Sequence, residues 1–110
     1  MKVDMQLVDP LSQVVFVHDY VQLVFQDRAL SLFNSITYQR DASQLVQGDS
    51  GFCDALVGLI GKSATADSDS GTLVLDFGTG QRVVVSGSGE GPEAWMFTGV
   101  GVPTVVEQNA

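Results

Sequence analysis

The alternation of apolar residues constrains the fold of this chain more than any other feature. Between residues 14 and 26, every second residue is apolar except Asp19. These apolar residues are Val15, Val17, Val21, Leu23 and Phe25. β-Branched and aromatic residues at this spacing are typical of a strand with one buried face. A turn is predicted at Asp27-Arg28, followed by a return strand over residues 30–38. The segment therefore predicts a β-hairpin.

A second segment repeats the same pattern. Residues 71–77 alternate in the same way, residues 78–80 form a glycine-rich turn, and residues 83–85 are three valines. Three apolar positions of the two segments align: Val21, Leu23 and Phe25 with Leu73, Leu75 and Phe77. The turn of the second segment is one residue longer than that of the first. Two hairpins that obey a period of two look alike with or without a duplication, so both readings stay open.

One helix is predicted between the hairpins. Four apolar residues have the spacing of a helical stripe: Phe52, Leu56, Leu59 and Ile60. Asp49 and Ser50 are candidate N-cap residues, and Gly61 stands where a C-cap glycine is common. Residues 66–71 and 86–92 are predicted to be loops, residues 93–98 a strand, and residues 100–106 an edge strand restricted by Pro103.

These elements predict one α+β domain over residues 1–110. Its sheet is expected to be mostly antiparallel, built from two hairpins and the C-terminal strands, with one short helix packed on it. Residues 1–10 and 107–110 are expected to be frayed. A chain of 110 residues can bury one core without a disulfide or a metal. Cys53 is the only cysteine, so no internal disulfide can form.

The charge balance narrows the classes of partner. Thirteen acidic residues against five basic ones give a formal net charge of −8. Nucleic acid and anionic membranes are therefore not expected as partners, whereas a cationic protein is attracted. The chain shows neither a secretory signal pattern at its N-terminus nor an apolar run of about 20 residues. A cytoplasmic location is the resulting expectation.

The residues that could carry chemistry favour structural roles. His18 and Cys53 would have to meet to form a nucleophile–base pair, and we expect the histidine half-exposed in a strand and the cysteine buried in the helix. The Asp67-x-Asp69-x-Gly71 run starts like a calcium loop but has Gly78 where the glutamate ligand belongs. We therefore expect no catalytic residue, no metal and no cofactor.

Two residues have competing interpretations. Asp19 either reaches the surface through a bulge or register shift, or pairs with Arg28, Arg40 or Arg82. Trp95 is either a core anchor or, with Glu93 on the same strand face, part of a binding surface.

Part of the chain resembles a family of small bacterial domains. The shared features are a helix end of the form LxGLxGK at residues 56–62, an LxLxFxDG hairpin at 71–80, and a closing Glu93-Ala94-Trp95 strand. The resemblance covers residues 56–97, with a looser match over 20–32, and the Gly78-Thr79-Gly80 turn replaces the usual Asp-Gly. Related sequences look like immunity proteins encoded beside polymorphic or contact-dependent inhibition toxins, and no catalytic residue of the family carries over to this chain.

This resemblance implies a non-enzymatic protein that binds and neutralises a cognate toxin domain. Many such toxins are basic, including nucleases, and an acidic field accelerates association with them. The candidate contact residues are Asp67, Asp69, Glu90, Glu93 and Trp95. The alternative is a stand-alone domain that binds a small ligand or assembles with itself, a homodimer for example, through its valine-rich C-terminal edge strand.

Overall fold

The computed structural model describes residues 5–109, which form ten strands and one helix. The N-terminal half contains β1 (Gln13–Val17), β2 (Tyr20–Phe25), β3 (Arg28–Leu32), β4 (Ile36–Arg40), β5 (Ser43–Val46) and α1 (Phe52–Val57). The C-terminal half contains β6 (Thr65–Asp69), β7 (Thr72–Asp76), β8 (Gln81–Val85), β9 (Glu93–Gly99) and β10 (Val105–Gln108).

The strands form two five-stranded antiparallel sheets, which pack face to face around one core. One sheet has the order β1-β2-β3-β9-β10, and the other has the order β5-β4-β8-β7-β6. The inward side chains of the two sheets form the core, and the rings of Phe25 and Phe77 stack across it with centroids 6.4 Å apart. The prediction of a mostly antiparallel sheet with one short helix is confirmed, and the sheet is divided into two.

The predicted strand over residues 14–26 is wrong in two respects. It is two strands, and Val15 and Val17, which were expected on the buried face, lie on the outer face of β1. His18 and Asp19 form the turn between β1 and β2, where Val17 pairs with Tyr20. Asp19 therefore lies at the surface, with 87% of its side chain exposed. A charged residue on a buried strand face would be costly, and turning the chain at that point removes the conflict.

The predicted return strand over residues 30–38 is also two strands. β3 pairs with β2 and β9, whereas β4 pairs with β5 and β8 in the other sheet. Asn34 lies in the crossing and is buried, and its side-chain amide donates to Ser86 O at 2.8 Å and to Asn109 Oδ1 at 2.7 Å. Both predicted hairpin pairings occur, but as parts of larger sheets that a description as two hairpins does not capture.

The helix begins and ends differently from the prediction. Gly51 is its N-cap residue, with a φ of 88° and no side-chain cap, and the helix already ends at Gly58. Asp49 instead accepts a hydrogen bond from Val46 N at 2.8 Å. Phe52, Leu56 and Leu59 are buried as predicted, but Ile60 is 45% exposed, because it lies in the turn after the helix.

The polar segment 66–71 and the chain ends are more ordered than predicted. Residues 65–69 form β6, an edge strand whose Ser68 is buried and whose Asp67 and Asp69 are exposed. Met5 and Leu7 belong to the core, and Asn109 bonds to Asn34 and to Gly91 O. The described parts of the two ends are thus packed rather than frayed. Residues 1–4 and 110 lie outside the described part.

The two halves of the chain repeat one topology. In each half a three-stranded meander is followed by a hairpin, and this hairpin joins the sheet that contains the other half's meander. β3 thereby pairs with β9, and β8 pairs with β4. The meanders also share their registers: Gln13 pairs with Val24 and Thr65 with Asp76 in the first ladder, and Val21 with Leu32 and Leu73 with Val85 in the second.

This repetition bears on the alternatives that the sequence left open. A common period of two explains similar hairpins, but it does not explain the same strand order, the same registers and the same crossing of the final hairpin. The structure therefore favours a duplicated unit. Positions in one half can be compared with positions in the other, since the pairing partners identify which residues are equivalent.

Candidate binding surfaces

Two of the predicted contact residues lie on the outer face of sheet β5-β4-β8-β7-β6, which we call the acidic face. Asp67 and Asp69 are exposed on β6, and Asp76 lies beside them at the end of β7. These three residues line one depression of about 400 Å³ together with Arg82. Arg82 forms an ion pair with Asp76 at 3.6 Å, and both side chains are about half exposed.

The centre of the acidic face is less polar than its β6 edge. The strand registers place one row of side chains across the sheet, in the order Asp67, Val74, Val84, Thr37 and Val46. Val46 is 43% exposed at the far end of this row. The face thus combines aliphatic side chains with a rim of carboxylates, an arrangement that protein interfaces commonly have.

Glu90 and Glu93 belong to a second acidic site. They line a depression of about 660 Å³ with Asp19, Phe33 and Asn34. Glu90 lies in the exposed loop before β9, and Glu93 is the first residue of β9. The structure therefore places the four predicted acidic contact residues in two different depressions, and it adds Asp76 to one and Asp19 to the other.

Trp95 is not available for contact with a partner. Its side chain is fully buried in the core, and its indole Nε1 donates a hydrogen bond to Gly71 O at 3.0 Å. The prediction that it contributes to a binding surface is wrong, and the core-anchor interpretation is correct. Glu93 and Trp95 have the same strand parity, but Trp95 lies deeper between the two sheets, where a large apolar side chain gains most from burial.

The outer face of the other sheet, which we call the neutral face, is uncharged along its central row. This row runs in the order Val15, Gln22, Ser31, Met96 and Val106. By the shared registers, Val15 takes the position of Asp67 on the acidic face, and Val24 takes that of Asp76. The two faces thus share the same strand framework, but one carries carboxylates where the other carries valines.

A third depression was not expected from the sequence. This end cleft has a volume of about 820 Å³ and opens between α1 and the β4–β5 hairpin. Its polar lining includes Tyr38, Arg40, Lys62 and Gln81, and its apolar lining includes Leu45. No local spacing could have brought Tyr38 and Lys62 together, because each meets Gln81 from a different part of the chain. Tyr38 reaches it through the pairing of β4 with β8, and Lys62 from the turn after α1.

The structure gives His18 and Cys53 separate positions. His18 is 97% exposed in the β1–β2 turn, and Cys53 is exposed on α1. Both residues are therefore more exposed than predicted, and they form no hydrogen bond with each other. Within residues 5–109, no group of three or more histidine, cysteine or acidic side chains is placed to hold a metal ion.

No helix in the described part of the chain has the length and apolar character needed to cross a membrane. Comparisons of the chain with family models, with curated proteins and with solved structures found no match.

Proposed function

We propose that this chain is a non-enzymatic binding protein that recognises a basic protein domain. In the role implied by its resemblance, it is an immunity protein that neutralises a cognate toxin domain by direct binding. The observation that supports this proposal most strongly is the acidic face, with three carboxylates beside a row of aliphatic side chains.

Charge complementarity supports a basic partner. Asp67 and Asp69 are exposed at the edge of this face, in a protein whose formal net charge is −8. A partner with lysine or arginine side chains around an apolar centre would match both the rim and the row of valines. Electrostatic steering of this kind raises association rates by about 10-fold to 1,000-fold at low salt.

The proposal is tested with the protein encoded next to this chain. Co-expression should yield a complex, and its association rate should fall as the salt concentration rises. Asp69→Lys should slow association by about tenfold or more, because it reverses a charge within the acidic face. Glu90→Lys tests the second acidic site in the same assay.

Asp27→Lys is the matched control. It makes the same change of charge at an exposed turn between β2 and β3, away from the acidic face. If Asp27→Lys slows association as much as Asp69→Lys does, only the total charge matters and the acidic face is not the contact surface. If the neighbouring gene encodes no toxin domain, or its product forms no complex, the immunity role is wrong.

A further inference from the structure

The end cleft is lined by hydrogen-bond donors that lack an acceptor among residues 5–109. Gln81 Oε1 accepts from Lys62 Nζ at 2.5 Å and from Thr79 Oγ1 at 3.1 Å, and Gln81 Nε2 donates to the Tyr38 hydroxyl at 2.9 Å. This network fixes the buried Gln81 amide. The Tyr38 hydroxyl accepts one bond and keeps its own proton to donate, and the Lys62 ammonium keeps two of its three N–H groups.

Arg40 adds a second cation to this cleft. It pairs with Gln81 across β4 and β8, so that Arg40 and Lys62 flank the same glutamine. The Arg40 side chain is exposed, and among residues 5–109 its guanidinium has no hydrogen-bond or ion-pair partner. Two of the five basic residues of an acidic protein thus line one depression. A guanidinium, an ammonium and a phenol together suit an anionic oxygen group.

The duplicated half provides an internal comparison, since the equivalent cleft is closed. By their pairing partners, Phe97 takes the position of Tyr38, and Gly99 takes that of Arg40. The depression beside Phe97 measures only about 170 Å³, and its other lining residues are Gln6, Arg28, Val102, Pro103 and Val105. A Cβ atom at Gly99 would lie 2.7 Å from Val102 Cγ2, so this position has no room for a side chain.

If both clefts served only to pack the fold, the two halves should have similar residues at these positions, and they do not. The closed version at Phe97 holds one cation, Arg28, and its guanidinium already donates a hydrogen bond to Gln6 O. The open version instead exposes cations and a hydroxyl around a volume within the range of about 300–1,000 Å³ that small-molecule sites have. We infer that the end cleft is a binding site for a small organic anion, a phosphate ester or a carboxylate, with an apolar body. This inference is independent of the proposed toxin partner.

The remaining lining residues restrict the ligand further. Leu45 and Ala55 form an apolar wall on which the body of the ligand can pack. Asp54 is exposed at the mouth of the cleft on α1, and it repels a polyanion that extends out of the site. The cleft thus selects a compact ligand with one anionic group over a nucleic acid chain.

The inference is tested by NMR titration of the ¹⁵N-labelled protein with three probes: phenylphosphate, benzoate and the neutral benzyl alcohol. Phenylphosphate, benzoate or both should shift the amides of Tyr38, Arg40, Leu45, Lys62 and Gln81 in a saturable manner, with a Kd of about 1 mM or tighter. Benzyl alcohol should bind at least about tenfold more weakly, because it lacks the anionic group.

Single-residue variants distinguish anion binding in the end cleft from an effect of the protein's overall charge. Arg40→Gln should weaken anion binding by about tenfold, since it removes a charged donor at an exposed position that the fold does not need. Arg82→Gln makes the same change on the acidic face and should leave the affinity within about twofold. Tyr38→Phe, which introduces the residue of the closed half, should weaken binding by about threefold to tenfold.

The titrations with the two anions identify the charged group of the ligand. Chemical-shift changes with phenylphosphate alone indicate a phosphate ester, and changes with benzoate indicate a carboxylate. The inference is overturned if neither anion shifts the cleft amides, or if benzyl alcohol binds as well as the anions. It is also overturned if Arg82→Gln weakens binding as much as Arg40→Gln does.

Discussion

The acidic face and the neutral face share strand order and register, yet they differ at nearly every charged position. Asp67 and Asp76 on one face correspond to Val15 and Val24 on the other, and Arg82 corresponds to Ala29. The inward positions differ much less, since leucine, valine and phenylalanine dominate both sheets. The core constrains the inner faces, whereas the outer faces are free to acquire separate roles.

The largest effects should come from equivalent core positions and should be similar in the two halves. Leu23 and Leu75 are both fully buried in central strands. Leu23→Ala and Leu75→Ala should each lower the free energy of unfolding by about 2–5 kcal/mol, through lost burial and the cavity left behind. Urea denaturation measures both. A loss below about 1 kcal/mol at one site would show that the two halves do not share one core equally.

A smaller loss of stability is expected when the closed cleft beside Phe97 receives the tyrosine of the open end cleft. Phe97→Tyr introduces a hydroxyl at a position that is 3% exposed, next to a small depression that is lined by Gln6 and Arg28 as well as by apolar residues. Burial of this hydroxyl should lower the free energy of unfolding by about 1–3 kcal/mol, with the smaller loss if the Arg28 guanidinium donates to it. Thermal or urea denaturation provides the measurement. Stability equal to that of the unchanged protein would mean that the second cleft is not closed as described.

Moving one charge between the outer faces should change partner binding but not stability. The double variant Asp69→Val with Val17→Asp keeps the net charge and exchanges the residues of two equivalent exposed positions. Its free energy of unfolding should stay within about 0.5 kcal/mol. Association with the proposed basic partner should slow about threefold, measured by stopped-flow kinetics. An unchanged rate would show that the location of the carboxylate is irrelevant.

The smallest effect concerns the ion pair on the acidic face. Arg82 and Asp76 are 3.6 Å apart and about half exposed, so solvent screens their attraction. Arg82→Ala should change the free energy of unfolding by less than about 0.5 kcal/mol, and salt should remove the difference. Urea denaturation at low and high salt tests this. A loss above about 1 kcal/mol would indicate that Arg82 stabilises the sheet in another way.

Local patterns were sufficient for the elements with a buried face. Leu73 and Leu75 are buried in β7 as the alternation predicts. A C-terminal edge strand is present, but it spans Val105–Gln108, and residues 100–104 of the predicted strand form the connection before it. The predicted helix is present, although it ends earlier than the apolar stripe suggests. These features follow from the spacing of apolar residues, because a strand buries alternate side chains and a helix buries a stripe.

The candidate sites were less predictable, because they depend on contacts between distant residues. Asp67 and Asp69 were identified from their sequence, but Asp76 joins them only through the pairing of β6 with β7. Trp95 was misassigned as a contact residue, since the sequence gives no indication of which face of β9 is covered. The end cleft requires β4 to pair with β8 and Lys62 to approach Gln81 from the turn after α1.

The residues along the chain determined several strands with an alternating apolar face, such as β2 and β7, where one helix lies and that the net charge is negative. The tertiary structure decided which sheet each strand joins, that Asp19 ends a strand and that one of two equivalent clefts stays open. The physical reason is that an alternating strand can pair equally well in either sheet. Its partner is selected by crossings and side-chain packing between residues far apart in sequence, such as β3 with β9 and β4 with β8.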